Sequence, residues 1–484
     1  MSDTQTNLAW ETLLDLSTTR PGPLHHRLAE SIRTAIRGGR LPLGSALPPS
    51  RVLATGLGVS RWTVTEAYAQ LVSEGFLAGK TGSATRVSWS PQADERRAGG
   101  HSHPGLPQLL GAPKHGHRPV RYDLSQCTPD YRAFPRRKWV EAIRVAAETA
   151  PFDRLGYSEP GGESRLREVL AAHLNRRRGT RVDPGLMTVF TGARQGVAAL
   201  ARALYADGQR VIGVEDPGSS GLWEPAVAAG LELVPLPVDE RGVVTEALAG
   251  HPDVRAVIIG PARHVVTGAE LAPERRRWLL DWATRVDGLV IEDDYDSEFS
   301  YDRQALPAMQ GTDPHRVALI GSMSRTMTPT VNVGWVVAPR RWLDGVRSEP
   351  RMAATAPALN QLALAHFIES GAYDRHLRSS RQRFRARRDA LVTALTPALP
   401  GARIGGRQGG LHLLLNLPPG ASARRIIQAA ERRGVELCDL NLLRLAGPAD
   451  DRQLMLGYGN LADAQVAEAV RVLVELIRES EAGL

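Results

Sequence analysis

From about Tyr122 onward, short β-type apolar runs alternate with stretches of helical length, and this alternation constrains the chain more than any other feature. The runs are Val211-Ile212-Gly213-Val214, Val257-Ile258-Ile259, Leu289-Val290-Ile291 and Val317-Ala318-Leu319-Ile320, separated by segments such as Pro273 to Thr284. Near-continuous apolar runs belong to strands buried on both faces. The pattern therefore predicts an α/β domain whose largely parallel sheet is covered by helices on each side. Ligands in such sheets bind at the carboxyl ends of the strands, so the residues just after each run are the first candidates for a site. Behind the arginine-rich segment Arg375 to Arg388, Leu411 to Leu417 and a final helix, Ala464 to Ile477, predict a smaller α+β subdomain.

The chain ahead of Tyr122 follows a different pattern. Between Arg20 and Ser90 stand nine basic residues (Arg20, Arg27, Arg33, Arg37, Arg40, Arg51, Arg61, Lys80, Arg86) and three acidic ones (Glu30, Glu66, Glu74), so +6 of the chain's formal +8 is concentrated here. A compact basic module is a candidate nucleic-acid binder. Leu24, Leu28, Ile32 and Ile36 recur every four residues and predict one helix, stopped by Gly38-Gly39. A short second helix follows Pro48-Pro49, with Ser50 as its cap and Val52, Leu53 and Leu57 facing inward. The third opens after Ser60, with Val64, Tyr68 and Leu71 on its buried side. Gly75 to Ala78 and Ala84 to Trp89 flank a turn at Gly79 to Ser83 and predict a hairpin. Helix, turn, helix and hairpin make a winged helix-turn-helix, whose recognition helix presents its N-terminal residues to base edges in the major groove of double-stranded DNA.

Trp89 to Arg118 is rich in Pro, Gly, His and Ser without periodicity and reads as a flexible linker, its four histidines (His101, His103, His115, His117) lacking the fixed surroundings a metal site needs. The two cysteines, Cys127 and Cys438, are too few for a disulfide framework or a paired Cys-x-x-Cys motif, so no metal is expected. No run approaches the ~18 apolar residues of a membrane helix, and Met1 to Trp10 lacks a basic stretch followed by an apolar one, so a cytoplasmic location is expected. Lysine occurs only at Lys80, Lys114 and Lys138, whatever the length of the remainder. Chemistry that needs a lysine amine has only those three to draw on.

The stretch AIRGGRLPLGSALPPSRVLATGLGVSRWTVTEAYAQLVSEGFLAGKTGSATRV resembles the DNA-binding domain of the GntR family of bacterial regulators over nearly its whole length. The resemblance implies DNA contacts at Ser50 and Arg51 before the second helix, at Ser60, Arg61 and Thr63 on the recognition helix, and at Gly82 on the wing tip. Trp62 departs from the small polar residue common there. From Tyr122 to the end, GYSEPGGESRLREVLAAHL, TGARQGVAALARAL, VEDPGSSG, PARHVVTGAELAPERRRWLL, VIEDDYDSEFSYD, IGSMSRTMTPTVNVGWVVAP and LMLGYGNL resemble, in this order, the fold-type I aminotransferases in the version fused to a GntR head, the MocR/GabR subfamily. The fold class this implies is multidomain α/β: an N-terminal winged helix-turn-helix plus a fold-type I domain like the pyridoxal phosphate (PLP) dependent transferases, with a large, mostly parallel α/β part and a small C-terminal α+β subdomain. The boundaries are a tail over 1–18, the head over 19–89, the linker over 90–120 and the body over 121–484. In this setting the arginine-rich segment matches the long helix joining the two subdomains, and reads as a solvated structural helix.

For the body, the resemblance implies PLP with Asp293 on the pyridinium nitrogen, Tyr295 on the ring hydroxyl, and Gly192, Ala193, Arg194, Ser322 and Ser324 cradling the phosphate at a helix N-terminus. The departures from the family pattern are more informative. Arg325 stands where the aldimine lysine should follow Ser324, and a guanidinium is not deprotonated in proteins, so it cannot act as the amine nucleophile. Asn332 replaces the phosphate-clamping arginine, Ser219 the ring-stacking tyrosine, Trp223 a further arginine, and Arg263-His264 the usual His-Gln pair. No catalytic residue and no covalent cofactor are expected, with non-covalent PLP as the alternative to a repurposed or empty pocket. Arg325, Arg263 and His264 add positive charge, which favours an anionic effector held by Arg325; the other reading has Arg325 salt-bridging Asp293 and filling the vacated space. The expected protein is a homodimeric, DNA-binding transcription regulator that senses a small molecule without transamination; the alternatives are a regulator that responds to non-covalent PLP and a ligand-independent DNA-binding dimer.

Overall fold

The computed structural model describes Trp10, Leu14 and residues 23–78, 84–88, 120–156, 160–301, 306–348, 355–405, 409–446 and 451–483. The chain divides into two compact units, Met1–Gln108 and Leu109–Leu484.

The first unit holds helices α1 (Leu24–Arg37), α2 (Ser50–Gly56) and α3 (Arg61–Ser73) and a hairpin of β1 (Leu77–Ala78) with β2 (Arg86–Val87), in which Leu77 faces Val87. Its core is the predicted stripe: Leu28, Ile32 and Ile36 meet Leu53, Val64, Tyr68, Leu71 and Val87. Ser60 caps α3 by accepting the Thr63 N–H at 3.1 Å, whereas α2 is capped by the Pro49 position without any side-chain bond. Val52, expected to face inward, is exposed; with Leu53 and Ala54 turned to the core, its neighbour about 100° around a short helix must point away. The turn Gly79 to Ser83, with Lys80 and Gly82, lies outside the described residues, as do Lys114 and the four linker histidines.

In the second unit an eight-stranded sheet runs β4 (Met187–Phe190), β11 (Gly334–Val337), β10 (Val317–Ser322), β9 (Leu289–Asp293), β8 (Ala256–Ile259), β5 (Val211–Asp216), β6 (Glu232–Asp239) and β7 (Gly242–Val243). The neighbours from β10 through β9, β8 and β5 to β6 are parallel; β11 and β7 run against their partners. Successive residues serve opposite faces: Ile291 and Ile320 meet Val197 and Leu200 of α6 (Ala193–Ala206), while Val290 and Val317 meet Leu279 and Trp282 of α8 (Pro273–Arg285). Burying both faces is what the continuous apolar runs encode. Gly196 lets α6 approach the sheet, because a Cβ there would collide with Val336.

The smaller part pairs β12 (Arg403–Gly405), β13 (His412–Asn416) and β15 (Gln453–Gly457) antiparallel, with helices Ala372–Ala398 and Val466–Glu481 sharing its core. A parallel pair that sequence reading missed ties β3 (Tyr122–Asp123) to β14 (Val435–Glu436). The arginine-rich segment is indeed helical, within Ala372–Ala398, but it is not wholly solvated. Arg387 is buried and pairs with Asp130 at 2.6 Å and with Asp463 at 2.5 Å.

Candidate functional site

In the first unit, the residues singled out converge where α2 and α3 begin. Arg51 and Arg61 are exposed, and Arg61 Nε reaches Ser50 Oγ at 3.4 Å, linking the two helix starts. Ser60 and Thr63 are tied to each other instead, their hydroxyls 2.8 Å apart and Thr63 buried. The surface that remains open at the start of α3 is Arg61 and Trp62, followed one turn later by Thr65 and Glu66.

In the second unit, register brings the candidates to one edge of the sheet. Asp293 pairs with Ile320 two residues before Ser322, Ser322 faces Gly334, and Gly334 faces Phe190, just before α6 starts. Gly334 is what allows α6 to start so close, since a Cβ there would press on the backbone of Gly192 and Ala193. Backbone N–H groups in the first turn of a helix have no intrahelical partner, so the start of α6 keeps the anion-favouring property expected of it. Arg194 turns to α7 (Ser220–Ala228), where it contacts Gly221 O at 3.3 Å and Glu224 at 2.5 Å. Ser322 and Ser324 share a hydrogen bond of 2.6 Å.

Arg325 follows Ser324 and donates to the backbone carbonyl of Cys127. Among the described residues it forms no ion pair with Asp293, so the expected filling salt bridge is absent, although its charge still draws the Asp293 pKa down. Burial and the neighbouring Asp294 outweigh that pull and lift Asp293 to about 7. Glu215, which sequence reading passed over, lines one narrow cleft together with Asp293, Ser219, Trp223 and Tyr295. Glu215 is buried, accepts the Gly260 N–H at 3.0 Å and is pushed up to about 8 by burial. Its only sequence signal was an acid at the end of an apolar run, in VEDPG.

The departures have local reasons. Trp223 is buried and its indole lines the cleft beside Asp293. Asn332 sits at φ +56 after a short turn, a left-handed position that asparagine tolerates. The positive charge expected of Arg263 and His264 is not available. Arg263 is buried against Asp296 at 3.3 Å, and His264 donates to Pro217 O at 2.7 Å and is pushed down to about 4 by burial. Gly410 (φ +75) leaves room for the Arg263 guanidinium, which a Cβ there would overlap. Lys138 is on the surface, paired with Glu141 at 2.9 Å. Among the described residues no cluster could hold a metal ion, and no helix is long and apolar enough to cross a membrane.

Comparison with known proteins matches residues 24–87 to the family described as "Bacterial regulatory proteins, gntR family" and residues 123–471 to "Aminotransferase class I and II". The probable rhizopine catabolism regulatory protein MocR of Rhizobium meliloti is 30% identical over 461 residues, covering 93% of each chain. The HTH-type pyridoxine biosynthesis transcriptional regulator PdxR of Corynebacterium glutamicum is 32% identical over 458 residues, covering 92% of this chain and 94% of its own. Among solved structures, the multiple substrate aminotransferase of Thermococcus profundus superposes with a TM-score of 0.68 at 21% identity, over 82% of this chain and 98% of that one. A DNA-binding head with its own core, a sheet-edge cleft on an aminotransferase fold, and full-length likeness to regulators lead to one assignment: the chain belongs to the MocR-type transcription regulators, in which a GntR helix-turn-helix domain is fused to an aminotransferase class I and II domain.

Proposed function

We propose that this regulator has given up transamination and uses its body, residues 121–484, as a dimerising sensor for a small molecule, joined by the 90–120 linker to the DNA-reading head at 19–89. One observation carries the proposal: no lysine follows Lys138 in the sequence. On the family resemblance the Schiff-base position falls on Arg325, whose guanidinium donates to the Cys127 carbonyl. A permanently protonated guanidinium cannot form an imine with an aldehyde. The chain's residues therefore do not fit covalently held PLP, and no catalytic step is drawn through it. Asp293, Tyr295, Ser322, Ser324 and the Gly192-Ala193-Arg194 start of α6 retain a small-molecule edge without the amine. The Arg325 charge acts on Asp293, and Glu215, raised to about 8, lines the same cleft as a protonated carboxyl able to donate. A ligand with one anionic group and one hydrogen-bond acceptor suits it. In the head, Arg51 and Arg61 are the DNA contacts, with Ser50 and Ser60 beside them. A ligand that prefers one arrangement of the dimer shifts the population able to hold two half-sites.

PLP titration followed by borohydride trapping, run beside Arg325→Lys and an aminotransferase assay, tests this. No trapped adduct and no activity are expected from the native chain. An adduct would refute the assignment of Arg325. Saturable PLP binding without an adduct would make PLP itself the sensed molecule and restore Asp293 to its pyridinium role.

A further inference from the structure

The helical repeat of α3 divides its residues cleanly. Thr63, Val64, Ala67 and Tyr68 are buried, while Arg61, Trp62, Thr65, Glu66 and Ala69 form the outer face. On that face Trp62 is the large apolar side chain, 63% exposed. An indole left in water forgoes hydrophobic stabilisation that burial against a partner would recover. Nor is the ring loose. It meets His25 of α1 edge-on, centroids 5.3 Å apart at 71°, and His25 packs on His26 at 4.4 Å. His26 Nδ1 in turn lies 3.1 Å from Gln70 Oε1, back on α3. This relay holds an exposed aromatic plane beside Arg61 at the helix end that a helix-turn-helix inserts into the major groove. Thr63, whose hydroxyl and N–H are both engaged by Ser60, cannot read a base from there.

Among the base edges of the major groove, the apolar group is the C5-methyl of thymine. We infer that Trp62 is a specificity-determining residue that packs its indole on a thymine methyl, and that His25 is the positioning residue that holds the ring for it. The preference belongs to this chain's own side chain, and it rests on the DNA-binding function of the head.

The test uses the full-length protein to enrich duplexes from a random-sequence pool, then replaces each thymidine of the enriched site by deoxyuridine, which lacks only the methyl. At one position per half-site the native protein should bind about three- to fivefold more weakly, the effect of losing one buried methyl. Trp62→Ala should bind the thymidine and deoxyuridine duplexes equally, Trp62→Phe should keep part of the difference, and His25→Ala should reduce it while leaving the melting temperature unchanged. A methyl effect that survives in Trp62→Ala, or its absence at every thymidine, overturns the inference. So does a loss in Trp62→Ala that is uniform across all duplexes, which would make the indole a sugar–phosphate contact. A pool with no enriched sequence would remove sequence reading by the head altogether, and the inference with it.

Discussion

Two groups of side chains, one in each unit, are used in opposite ways. In the head, Arg51, Arg61 and Trp62 face solvent and depend on a partner for any energetic return. In the body, Arg263 is used on Asp296, Arg387 on Asp130 and Asp463, Arg178 on Asp294, and His264 on the Pro217 carbonyl. An interface keeps its donors open for a ligand, whereas a packed core turns them inward to support itself. The head's residue types thus indicate what it binds, and most of the body's indicate only how it stands.

That contrast can be broken most forcefully at Arg263. Arg263→Ala leaves Asp296 buried without its cation and should destabilise the body by about 3–5 kcal/mol, seen as a lower unfolding temperature, while the head's own transition stays in place. An unchanged melt would show that the guanidinium is dispensable to the fold and open to a ligand. Arg61→Ala should do the reverse. Stability should hold to within about 0.5 kcal/mol, and specific DNA binding should weaken by about 1–3 kcal/mol if the side chain reads a base. Equal loss on every DNA sequence would instead assign it to phosphate.

The third test separates the body's carboxyls from its histidine. Burial lifts Glu215 from about 4.5 to about 8, so the folded state holds a proton that the unfolded state releases. Its stabilising effect is complete below about 4.5 and is lost as pH rises towards 8. His264 has the opposite sign: held neutral down to about 4, it costs stability as pH falls below its ordinary 6.5. Glu215→Gln should therefore reduce the loss of body stability between pH 5 and 8, by on the order of 1–2 kcal/mol, and leave the acid limb unaltered. A pH profile identical to that of the native chain would mean that Glu215 is solvated and the cleft wider than described.

Much of this was legible before any coordinates. The four strands marked by continuous apolar runs, the Leu28, Ile32 and Ile36 stripe of α1 and the start of α3 after Ser60 appear where residue type and period place them, because each depends on neighbours within a few positions; Leu24 is exposed, and the cap expected at Ser50 falls on Pro49. What stayed hidden depends on residues far apart in the chain. Nothing in the sequence around Arg263 announces Asp296 as its partner. Glu215 looks like any acid at a strand end until Gly260 and Trp223 are seen to enclose it. The direction of Arg325 was open between an anionic ligand and Asp293, and the backbone carbonyl of Cys127 was neither of those choices.

The pairing of Tyr122–Asp123 with Val435–Glu436 also sets an order in time. On the ribosome, the strand that opens the body has to wait until nearly all of the chain has been made, whereas every strand and helix of the head's core is complete by Val87. A synthesis halted anywhere in the long interval would release a complete head attached to a body whose first strand has no partner. Quality control of this regulator therefore falls on the body, which stays open at its first strand until almost the last of the chain has emerged.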